Sequence, residues 1–321
     1  MATIEILGVP HAYELTTPTA DTHALVFIHG WLLSRGYWQP IIEQLSPDFQ
    51  CLAYDLRGFG QSQLNQVNRE LPHSENVSSL VPASVGAAAV HHSSSRYTAA
   101  AYAQDLIILL EKLNITSAWL IGHSLGGSIA LWAADQMPDR IKGVICINAG
   151  GGIYLKEAFE QFRSWGSKLI KYRPRWLCYL PLLDLLFTRA NVAQAIAPTW
   201  GRQRLIDFVV AHPDAALGTL LDSTTEAEIN LLPKVVSQLQ QPVYFITGDK
   251  DQIMEPKYVR HLASFHPLFE ACGNNVMEIP ECGHLAMVEH PQTVANQIRL
   301  LLAQHNHSSR GAGAARKFPP L

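Results

Sequence analysis

Paired metal-binding cysteines, a bias of charge and a stretch that reads as a secretory signal are not found in this sequence, and each absence argues against a class of protein. Its five cysteines are an odd number without repeated spacing, which fits a reducing, cytoplasmic compartment better than a disulfide framework. No C-x-x-C pair and no cluster of His and Cys offers metal-ligand spacing, so neither a metal nor another cofactor is expected. Charged residues are only 16% of the 321 positions and the formal net charge is −3, which gives no electrostatic basis for binding nucleic acid. Met1 to Tyr13 lacks a basic segment followed by a long apolar one and does not read as a secretory signal. What the chain has in quantity is apolar side chains, 48% of it, enough for the large core of one α/β domain.

That apolar content is organised. Trp119-Leu120-Ile121 is strand-like and stops at Gly122-His123-Ser124-Leu125-Gly126-Gly127, the G-x-S-x-G pattern of a nucleophile elbow between strand and helix. So sharp a turn needs glycine where side chains would collide. It also sets Ser124 at a helix N-terminus, whose free N–H groups and dipole favour developing negative charge. Three further apolar runs end in residues that carry chemistry. Ala24 to Ile28 leads into His29-Gly30-Trp31, and Val243 to Gly248 into Asp249-Lys250-Asp251. Val276 to Ile279 leads through Pro280-Glu281-Cys282-Gly283 to His284. Another run, Phe49 to Tyr54, precedes Asp55 and Arg57, which read as residues that pin a loop. Each candidate lies past the C-terminal end of a strand, where open α/β sheets place their sites.

With those motifs in the order Ser, Asp, His, the chain resembles the α/β-hydrolase superfamily over roughly residues 20 to 150 and 240 to 305. The resemblance implies a mostly parallel sheet with helices on both faces and an inserted helical cap. It implies Ser124 as nucleophile, His284 as general base and Asp251 as the orienting acid, with Asp249 left as a turn residue on the same loop. The backbone N–H groups of Trp31 and Leu125 would form the oxyanion hole, while His29 and His123 read as hydrogen-bonding supports. A serine hydroxyl needs such an imidazole to remove its proton, and the imidazole needs a carboxylate to fix its tautomer. The expected substrate is a small-molecule carboxylic ester. Alternatives on the same fold are a hydrolase of carbon–carbon bonds and a binding protein without catalysis. Serine at the elbow excludes the covalent chemistry of dehalogenases and epoxide hydrolases, which place Asp there. The acyltransferase pattern of His followed five residues later by Asp is absent.

The expected organisation is a first core half at 1–150, a cap at 151–239, a second core half at 240–305 and an unstructured tail at 306–321. Helices are expected over Tyr97 to Asn114, Leu125 to Gln136 and Pro291 to Gln304, and a strand over Ile141 to Asn148. Residues 63–96, rich in Ser, Asn, Ala and Val, make a long insertion that reads as a flap near the site mouth or an inert loop. The cap carries Phe159, Phe162, Trp165, Tyr172, Trp176, Tyr179, Phe187 and Trp200. Its run from Trp176 to Phe187 is too short to span a bilayer. From 151 to 190 there are seven basic residues against three acids, with Arg173 and Arg175 beside the apolar run. Basic residues next to a large apolar surface fit an amphiphilic substrate or peripheral contact with a lipid surface.

Overall fold

A computed structural model describes residues 1–64, 95–150, 156–180, 182–223, 225–272 and 275–314. These form one eight-stranded sheet from β1 (Ala2–Ile6), β2 (Val9–Leu15), β3 (Ala24–Ile28), β4 (Cys51–Tyr54), β5 (Ala118–His123), β6 (Ile141–Ile147), β7 (Val243–Gly248) and β8 (Val276–Ile279). The order is β1-β2-β4-β3-β5-β6-β7-β8. β2 pairs antiparallel with β1 and β4, and every other pair is parallel. A parallel sheet is apolar on both faces because its crossover helices cover both. β3 shows the alternation directly. Val26 and Ile28 join one buried cluster, whereas Leu25 and Phe27 join the other.

Helices α1 (Gln39–Leu45), α2 (Ala99–Lys112) and α3 (Leu125–Gln136) belong to the first half of the core. α2 starts two residues later than its apolar spacing implies because Thr98 accepts a hydrogen bond from the Ala101 N–H, 3.1 Å, and so caps it. It ends before Asn114, which takes the left-handed conformation common just past a helix (φ 55°). Between β6 and β7 the chain builds a helical cap from α4 (Lys156–Lys171), α5 (Leu183–Phe187), α6 (Pro198–Val210), α7 (Pro213–Asp222) and α8 (Glu226–Gln238). The second half adds α9 (Pro256–Ala263), α10 (Pro267–Cys272), α11 (Ala286–Glu289) and α12 (Pro291–Ala314). α12, expected to end near Gln304, runs on into the segment set aside as a tail, of which 315–321 lie outside the described residues. Most of the 63–96 insertion, from 65 to 94, also lies outside them. No helix among the described residues is long and apolar enough to cross a membrane.

One expectation about the cap needs correction. Arg173 is not a free surface charge. It is buried, and its guanidinium donates to the carbonyls of Ile170, Phe208 and Ala211, tying the end of α4 to α6. Of the cap aromatics, Trp165, Tyr172, Trp176 and Tyr179 are exposed, whereas Trp200 packs on the buried Tyr37 with ring centroids 5.4 Å apart. The side chains of Phe159 and Phe162 lie outside the described set.

Candidate active site

Ser124 occupies the junction of β5 and α3 with φ 53° and ψ −119°, a conformation that L side chains rarely adopt and that surrounding structure must enforce. Its N–H donates to Ile147 O at 3.0 Å and its carbonyl accepts from Gly127 N at 2.9 Å. A side chain at Gly122 would run into the Gly126 backbone, and one at Gly126 into the carbonyl of Ile28. The glycines of the motif therefore let β3, β5 and α3 approach closely enough to force the turn.

Asp251 follows β7 and is buried. Its Oδ1 accepts from the N–H groups of Ile253 and Met254, at 2.8 and 2.9 Å. Its Oδ2 accepts from His284 Nδ1 at 2.8 Å and from Asn148 Nδ2 at 2.8 Å. Burial pushes this carboxyl up, but the His284 charge, the His284 hydrogen bond and the two backbone donors outweigh it, and the net shift is downward. Asp249 lies on the same loop in a different setting. It pairs with Lys250 at 3.1 Å and accepts from Cys282 N, the arrangement of a surface turn.

His284 is held from several sides. Its N–H donates to Asn191 O in the cap, 2.9 Å, and its carbonyl accepts from His123 Nε2, 2.7 Å. The two imidazoles lie with centroids 4.9 Å apart. Burial, then the neighbouring His284 charge, pushes His123 down to about 3, so it stays neutral and serves as a donor. His29, also fully buried, accepts from Leu56 N and donates from Nδ1 to Gly30 O. Asp55 accepts from the N–H groups of Arg35 and Gln61, and Arg57 pairs with Asp105 at 3.2 Å, so both hold loops in place. The buried Cys282 thiol is pushed up by burial and kept from ionising.

Ser124, His284, Trp31 and Leu125 all line one cavity of about 450 Å³. The cap contributes Leu169, Phe187, Phe208, Leu220 and Leu232 to its walls. Among the described cap aromatics named from the sequence, Phe187 alone reaches it. Trp31 is anchored to the cap as well, donating from Nε1 to Ala216 O at 2.9 Å. The arrangement places a strained serine and a carboxylate-held imidazole on one largely apolar chamber. Such a chamber is of the size that small-molecule sites have.

Two supports escaped the sequence reading. Asn148, read as the last residue of a strand, instead takes φ 48° and bridges Asp251 to Gly283 O. Glu289 on α11 accepts from the N–H groups of Gly283, Leu285 and Ala193, joining the His284 loop to the cap. Its place five residues after His284 was the one visible signal.

The family model described as the alpha/beta hydrolase fold matches residues 23–291. Among similar proteins is the pimeloyl-[acyl-carrier protein] methyl ester esterase of Xanthomonas axonopodis pv. citri, 25% identical, with 87% of this chain and 95% of that protein covered. The bifunctional esterase/perhydrolase of Acinetobacter calcoaceticus is 24% identical, with 73% and 76% covered. Among solved structures, a thermophilic esterase from Thermogutta terrifontis superposes with a TM-score of 0.66 at 23% identity, covering 92% of this chain and 94% of that one. With its eight-stranded sheet, inserted helical cap and a model match across both core halves, this chain belongs to the α/β-hydrolase fold family.

Proposed function

We propose that the protein is a serine hydrolase that cleaves carboxylic esters with a bulky or long apolar moiety through an acyl-enzyme on Ser124. The observation that carries this reading is that the strained Ser124 and the Asp251-held His284 share one apolar cavity. Because Nδ1 of His284 is committed to Asp251, Nε2 is the nitrogen left to accept the Ser124 proton. Oγ then bonds to the ester carbonyl carbon, and the oxyanion is met by the N–H groups of Trp31 and Leu125. Loss of one such donor costs about 3–4 kcal/mol in comparable enzymes. His284 returns the proton to the departing alcohol oxygen as the C–O bond breaks. Water then attacks the acyl carbon, gives its proton to His284, and releases the acid as that proton passes back to Ser124. Throughout, Asp251 stabilises the imidazolium without taking up its proton.

The relatives named as esterases support ester chemistry, and the apolar chamber supports an apolar substituent. A fluorophosphonate probe should label the native chain covalently at Ser124. The Ser124→Ala chain should escape labelling and lose nearly all hydrolysis of p-nitrophenyl esters, down by roughly 10⁶ in kcat if the triad acts as a unit. A folded Ser124→Ala protein that still turned over esters at a near-native rate would end the mechanism.

A further inference from the structure

One face of the cap is unusually apolar for a protein surrounded only by water. Among the described residues, nine of the fifteen exposed large apolar side chains lie between Trp165 and Leu186. The most exposed include Trp165, Tyr172, Trp176, Tyr179, Leu182 and Leu186. The 3-10 turn Arg175–Tyr179 and α5 are mostly apolar, yet neither has a buried residue. Short helices draw their stability from burying an apolar face; here Leu177, Cys178, Leu183 and Phe187 are half-buried against Leu205, Phe208 and Val209, while Trp176, Tyr179, Leu180, Leu182, Leu185 and Leu186 stay exposed. Leu182, 71% exposed, is also held at φ 67°. That backbone is unfavourable for a leucine, and its apolar side chain stays in solvent.

Charge lies in the same place. Lys168, Lys171, Arg175 and Arg189 are exposed around this patch, although the whole chain is net negative. Asp184 is the one acid between 163 and 189, and it is partly buried. Lys171 and Arg175 further line a cleft of about 740 Å³ with His212, which faces Asp214 at 3.9 Å. The patch is also continuous with the candidate active site: Leu169, 54% exposed on α4, and Phe187 at the end of α5 both line the cavity that holds Ser124.

We propose that this face of the cap docks on an anionic lipid bilayer, with its Trp, Tyr and Leu side chains entering the headgroup region and its lysines and arginines meeting lipid phosphates. Trp and Tyr suit that boundary because each has an apolar ring and a polar tip. The basic groups supply the attraction that makes such adsorption selective for negative lipid. An ester chain leaving the bilayer then meets Leu169 first and passes to the chamber. That last step rests on the hydrolase reading, whereas the adsorption does not. A second copy is the poorer occupant, since two like-charged patches would face each other. An acidic protein would leave most of the apolar surface unused.

Co-sedimentation of the full chain with vesicles tests the proposal. The protein should pellet with phosphatidylcholine vesicles carrying phosphatidylserine and much less with phosphatidylcholine alone. Affinity should fall about fivefold for each basic residue removed, so roughly a hundredfold in a Lys168→Ala, Lys171→Ala, Arg175→Ala chain, and high salt should mimic that loss. A Trp176→Ser, Tyr179→Ser chain should also lose binding, with circular dichroism and thermal melting confirming that both variants fold. Ser124→Ala protein should adsorb like the native chain, so failure of docking and failure of catalysis are read separately. Adsorption indifferent to lipid charge, salt and these substitutions overturns the idea. So does a lipid-free dimer that Trp176→Ser and Tyr179→Ser abolish, and so does retention by an acidic protein without any binding to vesicles.

Discussion

At the scale of single residues, two aspartates on one loop differ in what surrounds them, and the proposed chemistry falls to the buried one. Asp251 is buried and accepts four hydrogen bonds, one of them from His284. Asp249 is partly exposed and paired with Lys250. Asp251→Asn should lower kcat by about 10⁴, because an amide at that place favours the wrong imidazole tautomer, while Asp249→Asn should leave steady-state turnover nearly unchanged. The reverse result would move the acid two residues upstream. That Ser124, Asp251 and His284 come together was legible in the sequence, because the proposed chemistry demands particular residue types just past strand ends. Asn148 and Glu289 were far less so. They act by hydrogen-bonding a carboxylate and backbone N–H groups, and many residue types in many registers meet such demands.

Among elements, one buried polar link between core and cap runs through α6. Ser34, in the loop after β3, donates to Asp207 Oδ2 at 2.8 Å, and Gln203 donates to Oδ1 at 2.9 Å. Burial, with Asp55 adding to it, raises the Asp207 carboxyl to about 7 despite those donors. The folded protein therefore holds a proton on Asp207 in a range where the unfolded chain, near 3.8, has lost it. Stability from this group is fully present below about 4 and is lost as pH rises to about 7. Asn at 207 cannot ionise. Relative to Asp207→Asn, the native chain should lose about 2–3 kcal/mol of unfolding free energy between pH 5 and pH 8, measured by urea titration at the two values. A difference that stays flat with pH would mean that Asp207 is ionised throughout. Core elements such as α3 were readable to the residue because a motif fixes their start. The cap was readable only as helical and aromatic, since apolar residues that face outward leave the same local pattern as those that face in.

Over the whole molecule, the sequence conveys the layers of the core more completely than the relation of core to cap. Continuous apolar runs such as β3 announce a sheet covered on both faces, and the two buried clusters on either side of it follow from that alternation. The chamber between core and cap has no such signature, because its walls come from segments as distant as Trp31, Leu169 and His284. On the proposed hydrolase reading, its apolar lining and its volume of about 450 Å³ predict the substrate preference. Each methylene moved from water into such a chamber contributes about 0.8 kcal/mol, about a fourfold gain, and kcat/KM registers it because it counts binding from free enzyme and free ester. Along a series of p-nitrophenyl esters kept below their aggregation limit, kcat/KM should climb by about that factor per carbon from acetate and then level off. The levelling marks the length at which the acyl chain has filled the space beneath the cap. Larger residues at the chamber wall, such as Leu232→Phe, should bring the plateau to shorter chains without lowering turnover of acetate. An enzyme that prefers acetate and ignores chain length would show instead that the acyl group lies outside the chamber, with only the carbonyl reaching Ser124.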